Sequence, residues 1–145
     1  MASFRGPKAF LSNFFSAPVY YDGVLYPTTE HAFVAAKTLD MKQRAEVLDC
    51  STPAMAKKIG KTFVLRADWE NVRVNIMKEL VFQKFYMYPE LRKSLLAIEG
   101  EIVEENEWHD NFWGECLCPD CVDKPKVGNN LGKILMKVRD HLRKF

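Results

Sequence analysis

Asp68-Trp-Glu-Asn-Val-Arg-Val-Asn-Ile-Met-Lys-Glu-Leu-Val-Phe-Gln-Lys-Phe85 opens on an N-capping carboxylate with early negative charge, then sets Val72, Ile76 and Leu80 one turn apart. Val74, Met77, Val81 and Phe85 line a neighbouring stripe. Apolar residues over so wide an arc predict the central helix, around which the others pack. Upstream, Thr52-Pro53 offers a capping hydroxyl and a proline at the first helical position of a segment stopped by Gly60, and Met41 to Leu48 reads as another short helix. Glu30-His-Ala-Phe-Val-Ala-Ala-Lys37 contains no glycine or proline and predicts a helix capped by Thr28 or Thr29. Pro18-Val-Tyr-Tyr21, Asp22-Gly23 and Val24-Leu25-Tyr26 have the form of a tight hairpin, and the first 27 residues read as short strands and turns. Downstream, Pro89 starts a helix through Leu96, Gly100-Glu-Ile-Val-Glu104 reads as a strand, and a closing helix places Leu131, Leu135, Val138 and Leu142 on one face. Together these predict a single α+β domain over residues 1–145, compact and mostly helical. Its small sheet comes largely from the N-terminal third and the segment near residue 102.

The chain has 145 residues, 48% of them apolar and 12% aromatic. At that length one core removes roughly 70% of the unfolded chain's surface from water, which excludes a mostly disordered protein and a second catalytic domain. No apolar run approaches the roughly 20 residues that span a bilayer, and Met1 to Phe15 lacks the apolar stretch of a signal peptide. The expectation is a cytoplasmic protein with no membrane partner. A net charge of +2 demands no polyanionic partner. Its distribution is uneven: nine carboxylates and no Lys or Arg lie between Glu99 and Asp123, whereas Lys133, Lys137, Arg139, Arg143 and Lys144 crowd the last helix. Three of the four cysteines sit in Cys116-x-Cys118-x2-Cys121, too clustered for a disulfide framework.

Polar residues that the fold does not need concentrate in three places. In the second, Tyr26 to Phe33 with Lys37, Glu30 and Lys37 are seven residues apart and project from nearly one side, about 10 Å apart along the helix. An acid and an amine can thus flank one bound molecule, although a carboxylate at a helix N-terminus also serves stability alone. His31 reads as packed or hydrogen-bonded rather than as a base. The first place, Phe10 to Phe15, includes Asn13. The third, Asn106 to Gly114 with Gly128 to Lys133, sets Asp110 between Trp108 and Trp113. The indoles suit either a base-stacking platform or ordinary core. Gly128-Asn-Asn-Leu-Gly-Lys133 offers backbone N–H groups and a lysine at a helix N-terminus, a candidate phosphate cradle. Cys116, Cys118 and Cys121, with His109 or Cys50 as a fourth ligand, are compatible with a structural zinc or with free thiols.

Gly6-Pro-x-x-Phe-Leu-Ser-Asn-Phe-Phe15, Tyr21-Asp-Gly-x-x-Tyr-Pro-Thr-x-Glu-His-Ala-Phe-x-Ala-Ala-Lys37, Ala56-Lys-x-x-Gly60, Arg66-x-Asp-Trp69, Val72-Arg73, Trp108-x-Asp-x-x-Trp-Gly114 and Asn130-Leu-Gly-Lys-x-Leu-Met136 follow one another in this order. They resemble the NADAR family, also called YbiA-like, nearly end to end. The resemblance implies a compact, mostly helical α+β fold and N-glycosidase chemistry on ribosylated substrates. These are phosphoribosylamino-pyrimidine intermediates of the riboflavin pathway for some members and ADP-ribosylated guanine in nucleic acid for others. The family's acidic position falls on Glu30 and its helix lysine on Lys37. The Asp-Trp pair falls on Asp68 and Trp69, and the Trp-x-Asp segment on Trp108 and Asp110. The departure is the cysteine-bearing insert from Glu115 to Lys126, which bears on one wall of the pocket and on the choice of substrate.

Cleaving a ribosyl C–N bond builds positive charge on C1′ and negative charge on the departing nitrogen. Glu30 is therefore the expected sugar-side carboxylate, Asp110 the second acid–base candidate, and Lys37 a group that orients a hydroxyl, binds phosphate or forms an imine with an opened sugar. Trp69, Trp108 and Trp113 are expected to hold the base, and Asn13 the sugar. Asp68 and Gly114 complete the binding set, with Asn130, Gly132 and Lys133 at the phosphate. The partner is a small ribosylated nucleotide or an ADP-ribosylated nucleic acid, and the scheme requires no cofactor or catalytic metal. A non-catalytic sensor of NAD or ADP-ribose would use the same binding residues without the acid, and a purely structural protein would retain them as packing.

Overall fold

Asp22 and Gly23 both adopt positive φ, 49° and 80°, as the tight turn of a two-residue hairpin requires. The turn joins β1 (Val19–Tyr21) to β2 (Val24–Tyr26) in an antiparallel pair with Val19 opposite Tyr26. A computed structural model of the chain describes residues 4–126 and 128–145. Contacts divide the chain into two compact units, one formed by Asn13–Tyr88, the other by Pro89–Phe145 with the residues before position 13. Half-helical content with two small two-stranded sheets makes this an α+β fold. None of the described helices is long and apolar enough to cross a membrane.

In the unit of residues 13–88, the hairpin is followed by α1 (Thr29–Ala36), α2 (Met41–Asp49), α3 (Pro53–Gly60) and α4 (Trp69–Met87). Each of the first three helices starts on a side-chain cap: Thr28 accepts from His31 N, Asp40 from Lys42 N and Gln43 N, and Thr52 from Met55 N. Asp68, predicted to cap α4, stands at the cap position but makes no capping bond, because its carboxylate is drawn to Arg66. α1 packs on α2, α3, α4 and the hairpin, and every residue of it except Glu30 is buried.

The C-terminal carbonyls of a buried helix need donors from elsewhere. Arg44 of α2 supplies them: its Nε donates to Ala35 O at 3.1 Å and Thr38 O at 2.9 Å, while Nη1 pairs with Asp22 at 2.9 Å. In α4, Ile76, Met77, Leu80, Val81 and Phe85 are buried as predicted. Val74 is exposed, since no residue between Trp69 and Ile76 is buried and the stripe is covered only from there on.

The other unit begins with a 3-10 helix at Gly6–Leu11, where the sequence predicts a strand, and continues with α5 (Pro89–Leu96), β3 (Glu105–Asn106), β4 (Glu115–Cys116) and α6 (Asn130–Leu142). The strand predicted at Gly100 to Glu104 is irregular, and the ladder falls at Glu105–Asn106, paired in parallel with β4 instead of extending the N-terminal hairpin. Asn129 is the physical reason. Its amide donates to Ile102 O and accepts from Glu104 N, each at 3.0 Å, and so occupies backbone groups that a strand would offer a neighbour. Leu131, Leu135, Val138 and Leu142 are buried on α6 as predicted. Arg139 of α6 and Arg143 at its C-cap serve carbonyls at the end of α5 and just after it: Arg143 Nη2 donates to Leu96 O and Ile98 O, and Arg139 Nη1 to Ile98 O and Gly100 O.

Lys84 lies in the buried stripe of α4, 1% exposed, with its ammonium 5.5 Å from the Phe15 ring centroid and 5.1 Å from that of Phe85. Burial pulls its pKa down to about 7. The unfolded chain, with lysine at about 10.4, then holds a proton that the folded chain lacks between about pH 7 and pH 10, so stability rises with pH across that window by up to about 1.4 kcal/mol per unit. Lys84→Met should stabilise the protein most at or below pH 7, with the advantage shrinking towards pH 9. Urea unfolding of both proteins at the two pH values measures this, and a pH-independent difference would refute it.

Candidate functional site

Glu30 and Lys37 mark the two ends of α1, Glu30 in its first turn and Lys37 at its C-cap, and both are half-buried on an otherwise buried helix. Their backbones are tied down. Glu30 N donates to Asn13 O at 3.0 Å, and Lys37 O accepts from Arg66 N at 2.8 Å. Burial lowers the Lys37 pKa below the ordinary lysine range, Glu30 pushes it back up, and Lys57 and Lys61 add to the lowering. The Lys37 ammonium thus feels one carboxylate and two further ammonium groups. The ammonium of Lys57 also stands 6.0 Å from the ring centroid of Phe14, which is 40% exposed.

Lys57, Lys61 and Phe14 escaped the sequence reading as site residues, although Ala56-Lys-x-x-Gly60 contained the first of them. Asn13 is half-buried, with its side-chain amide donating to Met77 Sδ at 3.4 Å. His31 is the packed residue that the sequence predicts. Its Nε2 faces Cys50 O at 3.0 Å, which can only accept, so Nε2 carries the proton and Nδ1 accepts from the Thr28 hydroxyl at 2.8 Å.

Two residues of this unit predicted as substrate contacts make contacts within the protein. Trp69 is 5% exposed and packs against Phe33 at 5.0 Å between centroids, so its face is part of the core and is not presented to a base. Asp68 binds Arg66 through both oxygens, at 2.6 and 3.2 Å, and Arg66 Nη1 reaches Tyr21 OH at 3.3 Å. The guanidinium holds the Asp68 carboxyl below the usual carboxylate range. This pair anchors the backbone that supports Lys37. A cavity of about 410 Å³ is lined by Tyr20, Tyr21, Arg44, Arg66, Glu79 and Gln83 among others, and by none of the predicted site residues. Its two arginines are already bound to Asp22 and Asp68.

The remaining candidates belong to the other unit, where asparagine and aspartate side chains build the loop that carries Trp108. Asn106 Oδ1 accepts from the N–H groups of Trp108 and Asp110, each at 3.2 Å, and Asp110 Oδ1 accepts from Phe112 N at 3.0 Å and Trp113 N at 2.9 Å. Trp113 is half-buried and meets Phe112 edge to face at 4.8 Å, whereas Trp108 is 49% exposed. The N–H groups predicted to cradle a phosphate are engaged: Asn129, Asn130 and Leu131 donate to the carbonyls of Gly114, Phe112 and Trp113 at 3.0–3.1 Å. The Asn130 side chain also donates to Phe112 O at 2.8 Å. Gly114 and Gly132 allow close packing, since a Cβ at either would collide with the carbonyl of Glu104 or Ile102. The Lys133 side chain is exposed. In the same unit the ligand atoms of His109, Cys116, Cys118 and Cys121 all lie within 4.8 Å of one another, while the Cys50 thiol bonds Glu46 O on α2.

The NADAR domain pattern matches residues 3–143. N-glycosidase YbiA of Escherichia coli K12 is 36% identical over 133 residues, covering 90% of this chain and 79% of that protein. An N-glycosidase of Nostoc punctiforme is 33% identical over 142 residues, covering 94% of this chain and 87% of the relative. A riboflavin biosynthesis protein of Vibrio vulnificus is 31% identical over 136 residues, which are 92% of this chain and 35% of that longer protein. The NMR structure of E. coli YbiA matches with a TM-score of 0.83 at 35% identity, covering 99% of this chain and 83% of that one. Helix α1, with its Pro-Thr-x-Glu-His entry and closing lysine, lies inside a family match that runs nearly from end to end, and on that ground the chain belongs to the NADAR family.

Proposed function

We propose that the chain is an N-glycosidase that hydrolyses the C–N bond between ribose and base in a phosphoribosylated or ADP-ribosylated substrate. One observation carries the reading: α1 is buried throughout except at Glu30, and its only charged groups are that carboxylate and Lys37 at its end. Charges on a helix otherwise surrounded by apolar groups act through a lower effective dielectric than surface charges, which strengthens their effect on a developing cation. The relatives named N-glycosidases and riboflavin biosynthesis proteins support the same chemistry.

As the C1′–N bond breaks, its electron pair leaves with the base nitrogen, which takes up a proton, and C1′ becomes oxocarbenium-like. The Glu30 carboxylate stabilises that cation and accepts the proton of the water that adds to C1′. Lys37, with Lys57 and Lys61, supplies positive charge for a ribose hydroxyl or phosphate. The preferred partner is a small ribosylated nucleotide, and ADP-ribosylated nucleic acid is the larger substrate of the same class. A binder without catalysis would show a thermal shift with ADP-ribose or NAD and release no base.

Glu30→Gln keeps the size of the side chain and removes its charge, so turnover should fall by roughly 10² to 10³ while ligand affinity and melting temperature change little. Base release followed by chromatography measures it, and near-normal turnover would sink the assignment of Glu30.

The lowered pKa of Lys37 also favours a second route. In it the ring opens to the C1′ iminium of the base nitrogen, the neutral amine adds to C1′, the base leaves with a proton as the C1′–base bond breaks, and water then hydrolyses the resulting Lys37 imine. Under acid–base hydrolysis, Asp110→Asn should lower the rate by about 10² to 10⁴ and Lys37→Arg much less. Asparagine keeps the Oδ1 that accepts from Phe112 and Trp113, so the loop is preserved in that variant. A dead Lys37→Arg enzyme together with a borohydride adduct on Lys37 would establish the imine instead.

A further inference from the structure

His109, Cys116, Cys118 and Cys121 come from three short pieces of chain: the turn after β3, strand β4, and the Cys118-Pro-Asp-Cys121 turn. Cys121 N and Val122 N both donate to Cys118 O, at 3.0 and 2.8 Å, so this turn is a tight knuckle that places two sulfurs side by side. His109 Nδ1 lies 3.4 Å from both Cys118 Sγ and Cys121 Sγ, and all four ligand atoms lie within 4.8 Å of one another. With Zn–S near 2.3 Å and Zn–N near 2.0–2.1 Å, the edges of a tetrahedral S3N site are about 3.6 Å between nitrogen and sulfur and about 3.8 Å between sulfurs. We propose that these four residues form a structural zinc site.

N–H groups that are not ligand atoms donate to two of the sulfurs. His109 N donates to Cys116 Sγ at 3.2 Å and Asn111 Nδ2 to Cys121 Sγ at 3.4 Å, the arrangement that stabilises thiolates ligating a metal. Asn111 Oδ1 in turn accepts from Cys116 N at 3.0 Å, and Lys126 clamps the loop through Cys116 O and Cys121 O. Three free, buried cysteines facing one imidazole make a closed set of four protein ligands, which leaves no open position for substrate or water. The short edges fit a single ion, because an iron–sulfur cube holds its thiolates farther apart, and the imidazole favours zinc over a mononuclear iron–thiolate centre. The site lies outside the glycosidase chemistry proposed above. It ties the cysteine-bearing insert to the turn after β3, next to Trp108 and Asp110, so its loss should loosen that loop.

The test is metal analysis of full-length protein purified without chelator or metal-affinity resin. It should find close to one zinc per chain, and cobalt added to the metal-free protein should give the intense visible bands of tetrahedral thiolate coordination. Cys118→Ser should remove both, whereas Cys50→Ser should leave both unchanged. His109→Cys should keep stoichiometric metal with the cobalt bands shifted by a fourth sulfur, which separates a ligand from a residue needed only for folding and keeps the test open if Cys118→Ser fails to fold. A protein that carries no zinc and gives no tetrahedral cobalt spectrum, a full complement of metal in Cys118→Ser, or a cobalt spectrum unchanged by His109→Cys would overturn the proposal. These readouts do not depend on turnover, so a failed zinc site and a failed glycosidase reading are distinguishable.

Discussion

An eight-residue helix buried on all sides has to find partners for its terminal N–H and C=O groups within the protein, and α1 is such a helix. At its N-terminus the Thr28 hydroxyl accepts from His31 N, and Asn13 O accepts from Glu30 N. At its C-terminus Arg44 serves Ala35 O and Thr38 O, and the backbone of Arg66 serves Lys37 O. Each donor or acceptor is itself held: Arg44 by Asp22, Arg66 by Asp68, and His31 by Cys50 O. Removing the Thr28 hydroxyl takes a partner from two buried His31 groups, at a cost of about 1–3 kcal/mol. The same bonds fix the positions of Glu30 and Lys37, so the helix's stability and the geometry of its two charges have one cause.

Residues at and just before the start of α4 take part in the same network. The backbone of Arg66 bonds the Lys37 carbonyl, Asp68 holds the Arg66 guanidinium, and Trp69 backs α1 through Phe33. Their contribution is to hold the Lys37 backbone at the end of the helix. Lys84 shows the opposite balance in the same unit: a charge placed among aromatic rings, whose burial lowers its pKa to about 7.

Most of the helices were legible in the sequence because their signals are local. Thr28, Asp40 and Thr52 cap where a hydroxyl or carboxylate precedes a helical run, and Asp22-Gly23 makes the turn its residue types demand. Glu30 and Lys37 could be paired from helical spacing alone. What could not be read was set by groups far along the chain. Asn129 takes Ile102 O and Glu104 N from 27 and 25 residues away, and so displaces the ladder to Glu105–Asn106. Lys57 joins the charges near Lys37 only because α3 folds back on α1. The exposure that separates Trp108 from Trp69 has no counterpart in residue type or spacing.

The unit built on residues 89–145 meets the same demand for backbone satisfaction by different means. Its strands are two residues long, so side-chain amides and carboxylates replace the sheet. Asn106, Asp110, Asn129 and Asn130 together engage backbone groups from Ile102 to Trp113. A loop held by such short-range bonds has little apolar burial of its own, and local opening is easiest where apolar contacts are few. The cysteine-bearing segment from Glu115 to Lys126 holds no helix and only the two-residue strand β4. A four-ligand metal site is one of the few devices that can order such a segment without a hydrophobic core. The cost of presenting an exposed Trp108 on a loop of this kind thus falls on the ligands beside it, which links the proposed zinc site to the surface the loop presents.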